Sequence, residues 1–240
     1  MKLGIQSYSL RRFKFEDAIR IASEDLEVKY IEAFPGHLPP AKEEIDALKK
    51  LEGKYGVKVI SHGVNHMPNE RDKLVRLFEF AKEAGIEVLT ADPDPEAIPL
   101  VSEVAEKYGI KVAIHNHGPG HRYARFEDVL ELTKDYSELL GMCLDTGHLA
   151  RAEEDIVEAV KALGPRLHGI HLKDVNEARK DVVVGEGILD LREFFNALKE
   201  TGALETSVIV VEYEPEPENP IPGIRKSLAN VKKIIETIIR

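Results

Sequence analysis

The sequence predicts an α/β protein built as a single (β/α)8 barrel, on three observations. Eight short runs rich in β-branched residues alternate with eight amphipathic stretches of helical period. The runs recur about one βαβ step apart, until a longer excursion at 174–190 precedes the last. Eight of the nine histidines fall at or just beyond the C-terminal end of a run: His37, His62, His66, His115, His117, His121, His148 and His171; only His168 opens one. In a (β/α) barrel the strand ends and the loops that follow form the face where chemistry gathers, so a barrel explains the sorting.

In chain order, strand 3–9 leads to helix 15–26, strand 30–34 to helix 41–55, strand 58–65 to helix 69–84, and strand 87–92 to helix 95–108. Strand 111–117 then precedes helix 126–140, strand 141–145 helix 153–163, strand 167–173 helix 191–201, and strand 207–214 helix 223–239. Asp94-Pro95-Glu96 reads as an N-cap with proline in the first turn, and Gly56, Gly85 and Gly109 as left-handed helix ends. Period-two alternation puts Ala113, His115 and His117 on one face of their strand, Gly141, Cys143 and Asp145 on one face of the next, then Gly169, His171 and Lys173, then Val210, Glu212 and Glu214. Small residues low and polar residues high describe a packed barrel that opens into a site. An open doubly wound sheet would usually carry a glycine-rich phosphate fingerprint after its first strand, and none is present.

Composition narrows the function classes. The 240 residues fit one domain spanning 1–240, with 43% apolar content for a core and no apolar run near the length of a membrane span. The chain opens directly on a strand with no secretory leader, so a cytoplasmic protein with no membrane partner is expected. Cys143 is the lone cysteine and reads as a packed core thiol. A net charge of −10 argues against a nucleic-acid partner, because phosphate neutralisation needs clustered Lys and Arg. Charged residues at 32%, no Trp and a single Gln fit a heat-adapted, thermostable protein.

Among the histidines, also at strand ends, stand Glu32, Asp145, Asp174, Glu212 and Glu214. Imidazole and carboxylate together are the ligand set of one divalent metal ion; Mn, Zn, Co or Mg is expected. The motifs Tyr30-Ile31-Glu32, Ser61-His62-Gly63, His115-Asn116-His117-Gly118, Leu144-Asp145-Thr146-Gly147-His148, His171-Leu172-Lys173-Asp174, Gly185-Glu186-Gly187 and Val211-Glu212-Tyr213-Glu214 occur in this order, nearly one per strand. With them the chain resembles the xylose isomerase-like superfamily of sugar phosphate isomerases and epimerases, which also holds abasic-site endonucleases, inosose dehydratase and tagatose-type epimerases. The resemblance implies a TIM barrel whose metal is held by Asp145, His171 and Glu212. Many members supply a fourth ligand from a strand-five Glu; here that position is His115, and a substitute Glu at Gly120 is absent too. The endonuclease branch carries a strand-four His where this chain reads Leu89-Thr90-Ala91-Asp92, which sets nuclease activity aside.

Other residues carry two readings each. Glu32, His62, His117 and His148 are expected on the substrate side, although His62 also fits a core histidine bonded to backbone and His148 a turn cap. Lys173 fits either an acid with a lowered pKa or an ion pair with Glu186 or Asp145. Glu186 sits in a loop that either closes over substrate or is only a turn. Arg11, Arg12, Lys14, Arg122, Arg125, Arg179 and Lys180 form a basic rim that would steer an anionic substrate or simply face solvent. The expected protein is a metal-dependent sugar or sugar-phosphate isomerase/epimerase acting by proton abstraction, with Glu212 as base, Lys173 as partner acid and Glu186 as an alternative. Its rivals are a dehydratase of the inosose or dehydroshikimate kind and a non-catalytic sugar-binding module. With His115 in place of a second Glu, chemistry on one face is expected, meaning isomerisation or dehydration rather than epimerisation. The expected partner is a small-molecule sugar or sugar phosphate, and a homo-oligomer is left open.

Overall fold

In the computed structural model, which describes residues 1–239, the apolar runs close on one another. Eight parallel strands, β1 (Lys2–Gln6), β2 (Tyr30–Ala33), β3 (Lys58–Met67), β4 (Val88–Pro93), β5 (Lys111–His115), β6 (Leu140–Asp145), β7 (Leu167–Leu172) and β8 (Val208–Val211), form a closed barrel in sequence order, β8 pairing back to β1. Closure leaves no unpaired edge and directs every C-terminal strand end to one mouth. The fold is a single (β/α)8 TIM barrel.

The helices of the outer layer are α1 (Phe15–Glu24), α2 (Ile45–Tyr55), α3 (Arg71–Ala84), α4 (Ile98–Tyr108), α5 (Phe126–Thr133), α6 (Thr146–Arg151), α7 (Ile156–Leu163), α8 (Leu191–Glu200), α9 (Ala203–Thr206) and α10 (Ile221–Ile239). Gly56, Gly85 and Gly109 take the left-handed conformation that ends α2, α3 and α4. Apolar burial divides into two concentric cores. The large one lies between strands and helices; a small one inside the barrel holds Ile60, Val88, Ala113, Cys143, Val208 and Val210. Inward residues are small or medium-sized towards the strand starts, which leaves room for imidazoles and carboxylates at the mouth.

Two expected elements differ, one helix is added and one expected cap is missing, each for an identifiable reason. The strand expected at 3–9 ends at Gln6, because the Ser7 and Ser9 hydroxyls accept the backbone N–H groups of Phe34 (2.9 Å) and Tyr213 (2.8 Å) and hold a 3-10 turn. Helix 126–140 stops at Thr133, beyond which Arg166 gathers the carbonyls of Tyr136, Ser137 and Leu140. A further helix, α6, starts directly after β6, with the Asp145 carboxylate accepting the His148 N–H at 2.7 Å. Asp94 does not cap through its side chain, which is engaged by His66 and Arg122.

After β7 the chain makes a two-residue antiparallel ribbon, Asp174–Val175 with Asp181–Val182. The buried Asp174 carboxylate fastens this excursion by accepting N–H groups from Val175, Gly185, Gly187 and Leu189 at 2.9 to 3.3 Å. Among the described residues, no helix is long and apolar enough to cross a membrane.

Candidate metal centre

Four ionisable side chains converge at the C-terminal mouth: His115 from the end of β5, Asp145 from β6, His171 from β7 and Glu212 just past β8. One donor atom from each lies within 4.8 Å of all the others, and all four residues are buried. His171 Nδ1 is 3.1 Å from His115 Nε2 and 3.1 Å from Glu212 Oε2, and Asp145 Oδ2 is 3.6 Å from His115 Nε2. Asp145 Oδ2 accepts no aligned hydrogen bond and has the Lys173 ammonium (3.2 Å) and His115 Nε2 beside it; a buried carboxylate oxygen left facing imidazoles in this way fits a cation in the cluster.

His171 is held from behind. Its Nε2–H donates to Glu32 Oε1 at 2.8 Å, which orients the ring and turns Nδ1 towards the cluster. Glu32 is itself saturated: Gln6 Nε2 donates to Oε1 (2.7 Å), and Ser61 Oγ (2.6 Å) and Thr90 Oγ1 (3.0 Å) donate to Oε2. Asp145 is placed through its backbone, since Asn116 Oδ1 accepts its N–H (2.7 Å) and Asn116 Nδ2 donates to its carbonyl (3.2 Å). Two imidazoles and two carboxylates, one imidazole oriented by a third carboxylate, fit a borderline divalent ion.

The field inside the cluster is strong. Burial pushes the Glu212 carboxyl up, but Lys173 and His171 outweigh it and hold its pKa at about 2. Asp145 is likewise held well below the usual carboxylate range, against burial, by Lys173 and His115. Burial opposes charge on His171, while Cys143, Glu32 and Glu212 raise its pKa well above the ordinary value. His115 is lowered mainly by burial, and His117 falls to about 4 through burial and its histidine neighbours.

A cavity of about 430 Å³ opens onto this cluster. Tyr8, Phe34, Pro35 and Val64 give it an apolar wall; His117, His148 and Glu214 stand among its polar groups, and His115, His171 and Glu212 reach it while Asp145 does not. Imidazoles step outward from the centre, with ring centroids 4.7 Å apart for His171–His115 and for His115–His117, and 4.1 Å for His117–His121. A larger and more open groove, about 750 Å³, lies along α4 and α5 and contains none of the cluster residues.

Several expected site residues lie elsewhere or act differently. Glu32 does not reach the cavity; it lies behind His171 with every oxygen engaged. His62 points out of the barrel, its ring against Phe80 and its Nε2 donating to the Leu38 carbonyl at 2.8 Å, because its neighbour Ser61 takes the inward position. Glu186 is on the outer surface, paired with Lys226 of α10. His37 and His66 also stay apart, on the Phe13 carbonyl and on Asp94. Lys173 is at the site and takes the ion-pair reading, with Asp145 and not Glu186, so its pKa is not lowered on balance. Burial lowers it, while Asp145, Glu212 and Glu214 raise it well above the ordinary lysine range. Tyr8, Phe34 and Asn116 were not anticipated as site residues; Asn116 had a signal, a lone amide between two inward histidines.

A model of the xylose isomerase-like TIM barrel matches residues 20–234. The chain belongs to that family. Among curated relatives, an inosose dehydratase of Lactiplantibacillus plantarum is 29% identical over 138 residues, 50% of this chain and 46% of the relative. The chain spans about half the length of the curated relatives it matches. Among solved structures, a D-tagatose 3-epimerase-like protein superposes with a TM-score of 0.81 at 24% identity, covering 100% of this chain and 98% of the other. The IOLI protein, solved with a binding zinc atom, superposes with a TM-score of 0.76 at 21% identity, again over 100% and 98%. These two likenesses show the shared barrel.

Proposed function

We propose that this protein is a metal-dependent enzyme that removes the proton beside the carbonyl of an unphosphorylated polyhydroxy ketone, and that the outcome is dehydration. The observation that carries the reading is that Glu212 is the one ligand carboxylate reaching the cavity, where the remaining cluster groups are imidazoles. With Glu214, the other carboxylate of the cavity, paired to Lys173, Glu212 serves one face of a planar intermediate, which suits elimination or aldose–ketose isomerisation and not inversion of a stereocentre. The curated inosose dehydratases among its relatives, and the zinc carried by the IOLI protein, weigh towards a metal-dependent lyase.

His115, Asp145, His171 and Glu212 would hold the divalent ion, which when bound polarises the substrate carbonyl and acidifies the adjoining C–H bond. Glu212, ionised down to about pH 2, takes that proton. So weak a base demands a strongly acidified C–H bond. The C–H electron pair shifts towards the carbonyl, then returns to form the C=C bond as the β C–O bond breaks. Arg151 Nη1 lies 3.4 Å from His148 Nδ1, leaving Nδ1 as acceptor and the ring proton on Nε2. The proton taken up by Glu212 passes to the departing oxygen, which leaves as water and restores the carboxylate, while the His148 Nε2–H donates a hydrogen bond to that oxygen. The apolar wall of Tyr8, Phe34, Pro35 and Val64 takes the C–H face of the ring and keeps water from the reacting carbon.

Four side chains of the basic rim are already engaged, which supports an unphosphorylated substrate. Arg11 donates to the carbonyls of Tyr8 and Glu214, Arg12 pairs with Glu218, Arg122 with Asp92 and Asp94, and Arg125 with Glu127 and Glu154. Lys173, the lysine of the cavity lining, faces three carboxylates. The test is to incubate metal-loaded protein with an inosose and with open-chain ketoses in deuterated water. An ultraviolet-absorbing unsaturated ketone is expected, and Glu212→Gln should stop α-proton exchange more completely than binding. A rearranged ketose without an unsaturated product would make the protein an isomerase; tight binding without exchange at any pH would make it a binding module.

A further inference from the structure

Three carboxylates around one ammonium make an unusual arrangement for a ligand set. Lys173 Nζ lies 3.2 Å from Asp145 Oδ2 and 3.2 Å from Glu212 Oε2, the two carboxylate atoms that would bind the metal, and also pairs with Glu214. The residue is 3% exposed, so the charge is not a solvated one lent to the site. Its backbone is pinned by Thr146, whose Oγ1 accepts the Lys173 N–H (2.9 Å) and donates to its carbonyl (2.7 Å). Its stem runs against Gly147, where a Cβ would sit 2.9 Å from the Lys173 Cβ. The backbone and the stem of Lys173 are thus held in place, with the ammonium enclosed by three carboxylates.

Resting on the metal-centre reading, we propose that Lys173 is the resident counter-cation of the centre. Its ammonium holds Asp145 and Glu212 in ligand position in the metal-free protein, and its positive charge sets how weakly the ion is then held. Two buried carboxylates brought together repel each other and lose their hydration; His171 faces Glu212, and Lys173 is the cation that touches both, so its charge stabilises the metal-free fold. Once a divalent ion binds, the carboxylates are neutralised a second time, and the fixed ammonium opposes the ion across a few ångströms of low-dielectric interior. The centre therefore exchanges stability without metal for a lower metal affinity, which suits an ion that is acquired and exchanged rather than locked in.

Lys173→Met keeps the apolar stem and removes the charge. Wild type and variant are stripped with chelator and titrated with Mn2+ calorimetrically, and their melting temperatures are measured with and without saturating Mn2+. The metal-free variant should melt well below the metal-free wild type, the gap should largely close at saturation, and the Mn2+ Kd should tighten by about tenfold or more. A purely structural role would lower both melting temperatures equally and leave the Kd unchanged or weaker; either result overturns the inference. If the variant folds only with Mn2+ present, the inference is supported, whereas failure to fold at saturating Mn2+ overturns it. A wild type that binds no Mn2+ overturns the metal centre and this inference with it; a wild type that binds beside a variant that binds no tighter overturns this inference alone.

Discussion

His168 and His171 stand three residues apart on β7, each 1% exposed, and their protonation equilibria are driven in opposite directions. His168, at the strand start, rests its Nε2–H on the Glu138 carbonyl at 2.9 Å; burial, helped by nearby Lys111 and Arg166, takes its pKa down to about 4. His171, at the strand end, meets the same burial, yet Cys143, Glu32 and Glu212 raise it well above the ordinary histidine value. Same strand and same exposure give an inert neutral imidazole at one end and, at the other, one whose inner nitrogen a metal must win from a proton. The difference lies in the carboxylates that β2 and β8 bring to the mouth. Burial by itself makes a histidine structural; the partners make it functional.

The comparison breaks most decisively at the ligands. Asp145→Ala or His171→Ala should abolish tight divalent binding, seen as loss of the roughly one ion per chain expected for a mononuclear centre, while His168→Gln should leave that stoichiometry intact. Full metal occupancy in either ligand variant would show the donor set to be misassigned. A smaller effect is expected from Glu32→Gln, which leaves all four ligands in place and removes only the group behind His171. Metal affinity should fall by about 10- to 100-fold in a chelator competition, and an unchanged affinity would mean that Glu32 does not orient His171.

The smallest effect concerns pH. A raised folded pKa means that His171 stabilises the metal-free protein below its unfolded value near 6.5 and that this contribution is lost as pH rises through the raised value. His168 has the reverse sign: its neutral form contributes above about 6.5, and that stability is lost as pH falls towards about 4, by about 3 kcal/mol at most. His168→Gln should therefore flatten the melting-temperature profile between pH 7 and 4. Metal affinity of the wild type should rise by about tenfold per pH unit through neutrality, because binding expels the His171 proton. A flat affinity profile would place the ligand nitrogen elsewhere.

Sequence periodicity carried the barrel well. Alternation also put His115, Asp145, His171 and Glu212 on inward faces, and the structure gathers the four into one cluster. It could not tell depth or side. Glu32 is inward as a strand-two carboxylate should be, but it sits one layer below the cavity, and that depth depends on the stagger of β2 against β1 and β3, whose register shifts between Ile31 and Glu32. His62 lies on a strand buried on both faces, where composition does not distinguish barrel interior from helix side. Thr146-Gly147-His148 looked like a turn, because a helix that begins on a ligand's own carboxylate carries no separate cap residue to announce it. Lys173 was placed at the site, but the sign of its pKa shift required knowing that three carboxylates face it.

The Asp174 carboxylate gives the mouth a modular construction. With four backbone N–H groups drawn onto one side chain, the excursion from 174 to 189 is fastened at its root, next to Lys173, independently of what its tip at 176–180 contains. A lineage, or an engineer, can exchange that tip for a longer or chemically different one without disturbing Lys173 one residue upstream or the ligand His171 three residues upstream. New substrates can then be explored at the rim while the metal centre stays as it is.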